Sequence, residues 1–198
     1  FAIDRAGLVG ADGATHAGVF DLAYLSCLPN MMIMCPFDEA ELVHMTATAA
    51  AYGDGPSALR YPLGTGIGAE LPKAPQALEI GKARLLKQGS IAILSLETML
   101  NVCLEVVDKL EDIGVSVSLA DARFAKPFDR GMIRNFATSH QALLLVEESS
   151  PGGFSAHILQ FMAGEALLDN GLKVRTASLP DEYIDHAERS SQLVSAGL

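Results

Sequence analysis

The hydrophobic positions of this chain fall in short blocks whose period changes from one block to the next. Phe1 to Asp4 reads as the end of a buried strand, and Val19 to Leu25 as a short helix after a loop. Met31-Met32-Ile33-Met34 is an apolar run closed by Pro36, the pattern of a buried strand. Asp38 then stands as an N-cap, with Glu39 and Glu41 in a first turn where the helix dipole favours acids. That helix is predicted to pass through Leu42, Met45 and Ala49 to about Tyr52 and to stop in Gly53-Asp54-Gly55-Pro56. Ser57 to Tyr61 is the next strand.

Gly64 to Gln76 carries no apolar period, and Leu71-Pro72-Lys73-Ala74-Pro75 reads as a linker. The pattern then starts afresh. Ile80 to Leu86 predicts an edge strand and Ile91 to Leu96 a buried one. Thr98 to Ile113 is a helix with Leu100, Cys103, Leu104, Val107 and Leu110 on one face, ended by Gly114. Val115 to Ala120 is a strand, Phe128 to Ala137 a helix after Pro127, and Ala142 to Val146 a strand running into Glu147 and Glu148. A helix from Gly153 to Leu168 and a strand from Leu172 to Leu179 follow. Alternation of strand and helix predicts an α/β fold with mostly parallel sheets. Residues 1–72 are too short for a complete domain and read as the latter part of one; residues 78–198 read as a small doubly wound domain. A strand that begins at residue 1 with no lead-in reads as a piece of a longer chain.

Composition narrows the function classes. The 198 residues carry a formal net charge of −10, which argues against nucleic acid and anionic membranes as partners, since both need basic surface. No apolar run approaches the ~20 residues of a membrane-spanning helix, and no basic-then-apolar leader is visible. Cys27, Cys35 and Cys103 are an odd number without a CxxC pair, which points away from a disulfide framework or zinc site and toward a reducing compartment. They read as small buried hydrophobes with no activating partner.

Candidate chemistry concentrates near the start. The loop after the first strand holds Gly7, Gly10, Gly13 and Gly18, with Asp4 and Arg5 at its entry and Asp12 and His16 within it. In open α/β sheets ligands bind beyond the carboxyl ends of strands, where Arg5, Asp12 and His16 are expected to converge. A guanidinium can hold phosphate oxygens in pairs. An imidazole can exchange protons with a carbonyl or hydroxyl near neutral pH. The plain alternatives are a solvated loop pair for Asp12 and His16, and a strand-end salt bridge from Arg5 to Asp4 or Asp12. Two potential ligands fall short of a metal site. Gly64-Thr65-Gly66-Ile67-Gly68 lacks GxGxxG spacing and leads into Pro72 rather than a helix, so a nucleotide loop is not expected there. Glu147 and Glu148 read as structural acids, and His44, His140, His157 and His186 as surface or packing histidines.

The block FAIDRAGLVGADGATHAGVFDLAYL resembles the 1-deoxy-D-xylulose-5-phosphate synthase family of the transketolase group, and PNMMIMCPFDEAEL, YGDGPSALRYP, ADARFAKPFD, LLLVEES and ASLPDEYIDH agree with it in order along the whole chain. The resemblance implies the latter part of a pyrimidine-binding domain (1–72) followed by a small, mostly parallel-sheet C-terminal transketolase domain (78–198). It implies a thiamine diphosphate and Mg2+ enzyme of isoprenoid, thiamine and pyridoxal precursor synthesis. That enzyme joins pyruvate to D-glyceraldehyde 3-phosphate with loss of carbon dioxide and works as a homodimer. The family's diphosphate and magnesium site and its catalytic glutamate lie outside this chain, so no cofactor-binding or metal-binding residue is assigned here and the chain alone is expected to be inactive. By resemblance Arg5 binds the aldehyde's phosphate, Asp12 and His16 line the acceptor pocket, and His16 takes the catalytic role. The resemblance implies a bacterial cytoplasmic location, with a plastid as the alternative.

Two positions depart from the family. The family reads RYPRG where this chain has Arg60-Tyr61-Pro62-Leu63-Gly64, which replaces a phosphate-binding arginine by a residue without a donor. Glu97 stands where relatives carry glycine in a strand-to-helix turn; if that turn needs a positive φ, Glu97 costs ~1 kcal/mol or more. The rival reading is a non-catalytic dimerisation or interaction module of the same fold, in which these departures reflect relaxed constraint. A pyruvate dehydrogenase β subunit is disfavoured by the DRAG and THxG residues.

Overall fold

The chain begins with β1 (Ala2–Ile3), a single 3-10 turn at Gly10–Asp12, and α1 (Asp21–Ser26). β2 (Met32–Met34), α2 (Glu39–Ala51) and β3 (Ser57–Arg60) follow. In this computed structural model, which describes residues 1–198, Asp38 caps α2 through an Oδ1 that accepts from the Glu41 amide at 2.7 Å. Residues 61–83 contain no regular element. The second half supplies β4 (Arg84–Lys87), β5 (Ile91–Ser95), α3 (Met99–Asp112), β6 (Val117–Asp121), β7 (Phe124–Lys126), α4 (Arg130–Ser139), β8 (Ala142–Val146), α5 (Phe154–Gly164), β9 (Lys173–Ala177) and α6 (Arg189–Ala196).

Two sheets result. The first has the order β1-β3-β2-β7, parallel except for β7. The second has the order β4-β6-β5-β8-β9, parallel except for the edge strand β4. One core joins them: Ile33 and Ala58 of the first sheet pack in the same cluster as Leu94, Ala120 and Leu145 of the second, with Phe154 and Ile158 of α5. α3 covers the other face of the second sheet through Leu100, Cys103 and Val107, and α2 lays Met45 against Met32, Met34 and Leu59. No helix is long and apolar enough to cross a membrane.

Two expectations need correction, on β1 and Cys27, and two elements, β7 and α6, were not foreseen. β1 is a strand but not a buried one: it pairs only with β3, and Phe1 is 77% exposed. An apolar run reports a strand, not its rank in the sheet. β7 was not visible in the pattern, because three residues are too few to display a period. Its place follows from pairing with β2 across the two halves of the chain. α6 was not visible either, because it buries a single residue, Gln192, and that residue is polar. Cys27 lies just past the end of α1, exposed, with its Sγ donating to the Tyr24 carbonyl at 3.0 Å, so only Cys35 and Cys103 are buried.

Candidate functional site

The loop after β1 is closed on itself by main-chain bonds. Gly7 N donates to Gly18 O at 2.9 Å and Gly18 N to Arg5 O at 2.8 Å. Ala6 N donates to Tyr61 O at 3.0 Å, which ties the loop to the end of β3. Leu8 and Val19 anchor it in a small apolar cluster with Leu179. Gly7 is required twice over: its φ is +76°, and a Cβ there would stand 2.7 Å from Glu148 Cδ. Glu148 Oε1 accepts from the Leu8 amide at 2.7 Å, while its other oxygen takes the Arg189 guanidinium. Burial pushes the Glu148 carboxyl upward, and Arg189 opposes that.

Arg5 lies between two carboxylates. Its Nη1 is 2.6 Å from Asp4 Oδ2 and its Nε 3.5 Å from Asp12 Oδ2. The structure therefore brings two of the three predicted residues together. His16 stays outside that pair: it is exposed, its Nδ1 is bonded to Thr15 Oγ1 at 3.0 Å, and it has no hydrogen bond to Arg5 or Asp12. The three share one loop at the carboxyl end of β1 but do not form a bonded triad.

Beside this loop is a cleft of about 480 Å³. It sits beyond the carboxyl ends of all three parallel strands of the first sheet: Asp4 follows β1, Pro36 and Phe37 follow β2, and Tyr61 follows β3. Thr98 and Asn101, from the start of α3, close it from the second half of the chain. Leu63 is 42% exposed on its wall. Arg5, Asp12 and His16 are not among the lining residues; the two sites meet at Asp4. Tyr61, Thr98 and Asn101 were not singled out in the sequence. The rule that ligands gather beyond the ends of parallel strands was the signal for Tyr61, while α3 reaches the cleft only through tertiary packing.

The cleft's charged side chains are all acidic: Asp4, Asp38 and Glu39. Asp38 is occupied as the α2 cap. Glu39 Oε1 accepts from Gly68 N at 2.6 Å and Ala69 N at 3.0 Å. Its own amide, then those of the loop, hold this carboxyl below its ordinary range. Gly66 passes so close that a Cβ would lie 2.4 Å from Glu39 Oε1. The glycine-rich segment at 64–68 is thus folded around an internal carboxylate. No three or more His, Cys, Asp or Glu side chains are placed to hold a metal ion.

Beneath the loop lies a buried charge cluster that sequence reasoning missed. Arg60, 1% exposed, donates from Nε to Asp21 at 2.9 Å, from Nη1 to Glu97 at 3.0 Å and from Nη2 to the Gly18 carbonyl at 2.7 Å. Glu97 has φ +60°, the strained backbone that the turn was expected to impose on a non-glycine residue. Burial raises its carboxyl to about 8 against the pull of Arg60. One guanidinium faces two buried carboxylates, so desolvation prevails at Glu97, whose Oε1 has no partner.

Known proteins place this architecture. The family described as the transketolase pyrimidine-binding domain matches residues 1–65, and the transketolase C-terminal domain matches residues 81–198. A protein of Capsicum annuum described as a probable chloroplastic 1-deoxy-D-xylulose-5-phosphate synthase is 53% identical over 201 residues, covering all of this chain and 28% of that relative. The chain therefore spans little more than a quarter of that relative's length. Among solved structures, a split-gene transketolase described as an inactive β4 tetramer matches with a TM-score of 0.84 and 27% identity, over all of this chain and 61% of its own. A transketolase of Campylobacter jejuni matches at a TM-score of 0.69 and 17% identity, over all of this chain and 29% of its own, a likeness of fold.

Proposed function

Since the chain belongs to the transketolase family, with that family's pyrimidine-binding and C-terminal domains, we propose that it forms part of a thiamine diphosphate-dependent transferase of the 1-deoxy-D-xylulose-5-phosphate synthase type. That enzyme condenses pyruvate with D-glyceraldehyde 3-phosphate and releases carbon dioxide. The observation that carries this reading is the 53% identity along the whole chain, joined to a polar loop and a cleft at the carboxyl ends of one parallel sheet. We take residues 1–72 and 78–198 as the two domain portions, in keeping with family matches that stop at 65 and resume at 81.

In this reading Arg5 binds the aldehyde's phosphate and Asp12, 3.5 Å from its Nε, lines the acceptor pocket beside it, while Asp4 is the guanidinium's hydrogen-bonded partner. His16, exposed on the same loop, is free to donate to the aldehyde oxygen or to take up its proton. The chain's own residues do not fit the magnesium and diphosphate end of the cofactor. No metal-ligand cluster is present, and two amides of its second glycine-rich loop are bonded to Glu39. Thiamine diphosphate would supply the carbanion chemistry, held mainly by residues beyond this chain. The relative's description as chloroplastic supports a plastid over a bacterial cytoplasm, and the oligomeric split-gene structure supports a homodimer or larger assembly.

The test is a turnover assay with pyruvate, D-glyceraldehyde 3-phosphate, thiamine diphosphate and Mg2+. The full-length protein is expected to release carbon dioxide in proportion to aldehyde consumed, and this chain alone to give none. Turnover by the isolated chain, or none by the full-length protein, would overturn the proposal.

A further inference from the structure

Gln192 is the only buried residue of α6 and is 1% exposed. A packing position on a short helix is normally filled by an apolar side chain, because an amide must satisfy every buried polar atom. Gln192 does so on two main-chain targets, Gly10 and Asp185. Its Oε1 accepts from Gly10 N at 2.8 Å, and its Nε2 donates to Gly10 O at 3.2 Å and to Asp185 O at 2.9 Å. Gly10 N has no other partner. Gly10 opens the single 3-10 turn that ends at Asp12, and Asp12 is the carboxylate paired with Arg5.

A second contact from the same helix face reaches the same loop. Arg189, three residues before Gln192 and so on the same side of α6, donates to Glu148, which in turn accepts from Leu8 N. The loop is thus gripped at Leu8 by Glu148, 140 positions away, and at Gly10 by Gln192, 182 positions away. Its self-closing bonds fix Arg5, Gly7 and Gly18 but leave the 8–12 portion without a partner in the first sheet.

We infer that Gln192 is a positioning residue: by binding both main-chain polar groups of Gly10 it sets the 3-10 turn, and with it the Asp12–Arg5 pair, in the geometry that receives the acceptor substrate. The inference deepens the function proposed above and rests on it for the identity of that substrate.

Two variants test it. Gln192→Met keeps side-chain volume and removes the hydrogen bonds. Gln192→Glu keeps the acceptor for Gly10 N but, once ionised, faces the Gly10 and Asp185 carbonyls with a charge. Amide hydrogen exchange of this chain is measured first, and Gly10 is expected to exchange at least tenfold faster in Q192M. In the full-length enzyme KM for D-glyceraldehyde 3-phosphate is expected to rise about tenfold in Q192M, with KM for pyruvate unchanged. In Q192E that rise should grow with pH as the new carboxyl ionises, whereas in Q192M it should be flat. A purely structural role predicts equal loss for both substrates and no added pH dependence, and that outcome overturns the inference. So does unchanged Gly10 exchange, or faster exchange with both KM values intact. If Q192M does not fold, the pH profile of Q192E decides alone. If the full-length enzyme turns over neither substrate, the proposed function fails, and Gly10 exchange still decides whether Gln192 holds the loop.

Discussion

Glu148 accepts the amide hydrogen of Leu8 across 140 positions of sequence, at 2.7 Å and out of contact with water. The bond ties the carboxyl end of β8 to the loop that bears Arg5 and Asp12. Glu148→Ala would leave a buried amide without an acceptor and Arg189 without its counter-ion. A loss of about 2–4 kcal/mol is expected from the unmet amide and the broken charge pair together. Gly7→Ala is expected to destabilise as well, since its Cβ would meet the Glu148 carboxyl. Urea unfolding of the two variants measures this, and a change below about 0.5 kcal/mol in E148A, the range of an ordinary surface substitution, would contradict the role assigned to Glu148.

Arg60 is the one cation between Asp21 and Glu97. Burial alone would lower its pKa, but the two carboxylates more than reverse that and hold the guanidinium charged. Arg60→Met strands both acids in the core and frees the Gly18 carbonyl. A cost of about 3–5 kcal/mol is expected, the usual range for breaking a buried pair from one side. Adding Asp21→Asn and Glu97→Gln to that variant should recover a large part of the loss. Denaturant unfolding of the single and triple variants at pH 8.5 decides the matter: no recovery in the triple variant would mean that Arg60 acts by volume, not charge.

Stability depends on pH through Glu97 of this cluster and, apart from it, through Asp121 at the end of β6, beside Arg84 and Arg123. Burial raises Glu97 to about 8 and Asp121 to about 7, from ordinary values of 4.5 and 3.8. In each case the folded chain binds a proton more tightly than the unfolded one. Their stabilisation is therefore complete at low pH, below the unfolded values, and is lost as pH rises through about 7 and 8. Glu39 works in the opposite sense, since its lowered carboxyl favours the fold only above the acid range. The melting temperature is expected to fall between pH 6 and pH 8.5, and Glu97→Gln should flatten that slope. A wild-type melting temperature that climbs over this interval would show that neither acid carries the raised value.

What could be read from the sequence divides along physical lines. Met31 to Met34, Ile91 to Leu96 and the Asp38 cap were legible because burial on both faces and N-capping are local signals, and all three are present. Glu97 was legible as a strained turn through the glycine it replaces, and its φ is positive. β7 was not legible, because Phe124 to Lys126 owe their strand to pairing with Met34 and Ile33. Arg60 reads as an ordinary polar strand end until α1 and the turn before α3 bring two carboxylates to it. Gln192 gives no sign at all in a polar helix, since only the fold shows that it meets Gly10. Arg5 and Asp12 were expected to converge, and they pair; His16 was expected to join them, and it bonds Thr15 instead.

Leu63 bears on the phosphorylated substrate proposed above. It lies on the wall of the cleft with Asp4, Asp38 and Glu39; no lysine or arginine lines that wall, and Arg5 reaches only Asp4 from outside it. A phosphate entering that cleft meets like charge and gains no donor from Leu63. Leu63→Arg in the full-length enzyme adds a planar pair of donors and offsets one negative charge. A charge-assisted bond of roughly 1.5–3 kcal/mol corresponds to about one to two powers of ten in binding. KM for D-glyceraldehyde 3-phosphate is therefore expected to fall by about tenfold or more, with KM for pyruvate unmoved. Leu63→Lys, a point charge without the fork, should give a smaller gain. Steady-state kinetics with the two substrates varied separately make the measurement. Equal KM values in L63R and wild type would show that the phosphate does not approach this wall, and would leave Arg5 as its partner in the loop beside the cleft.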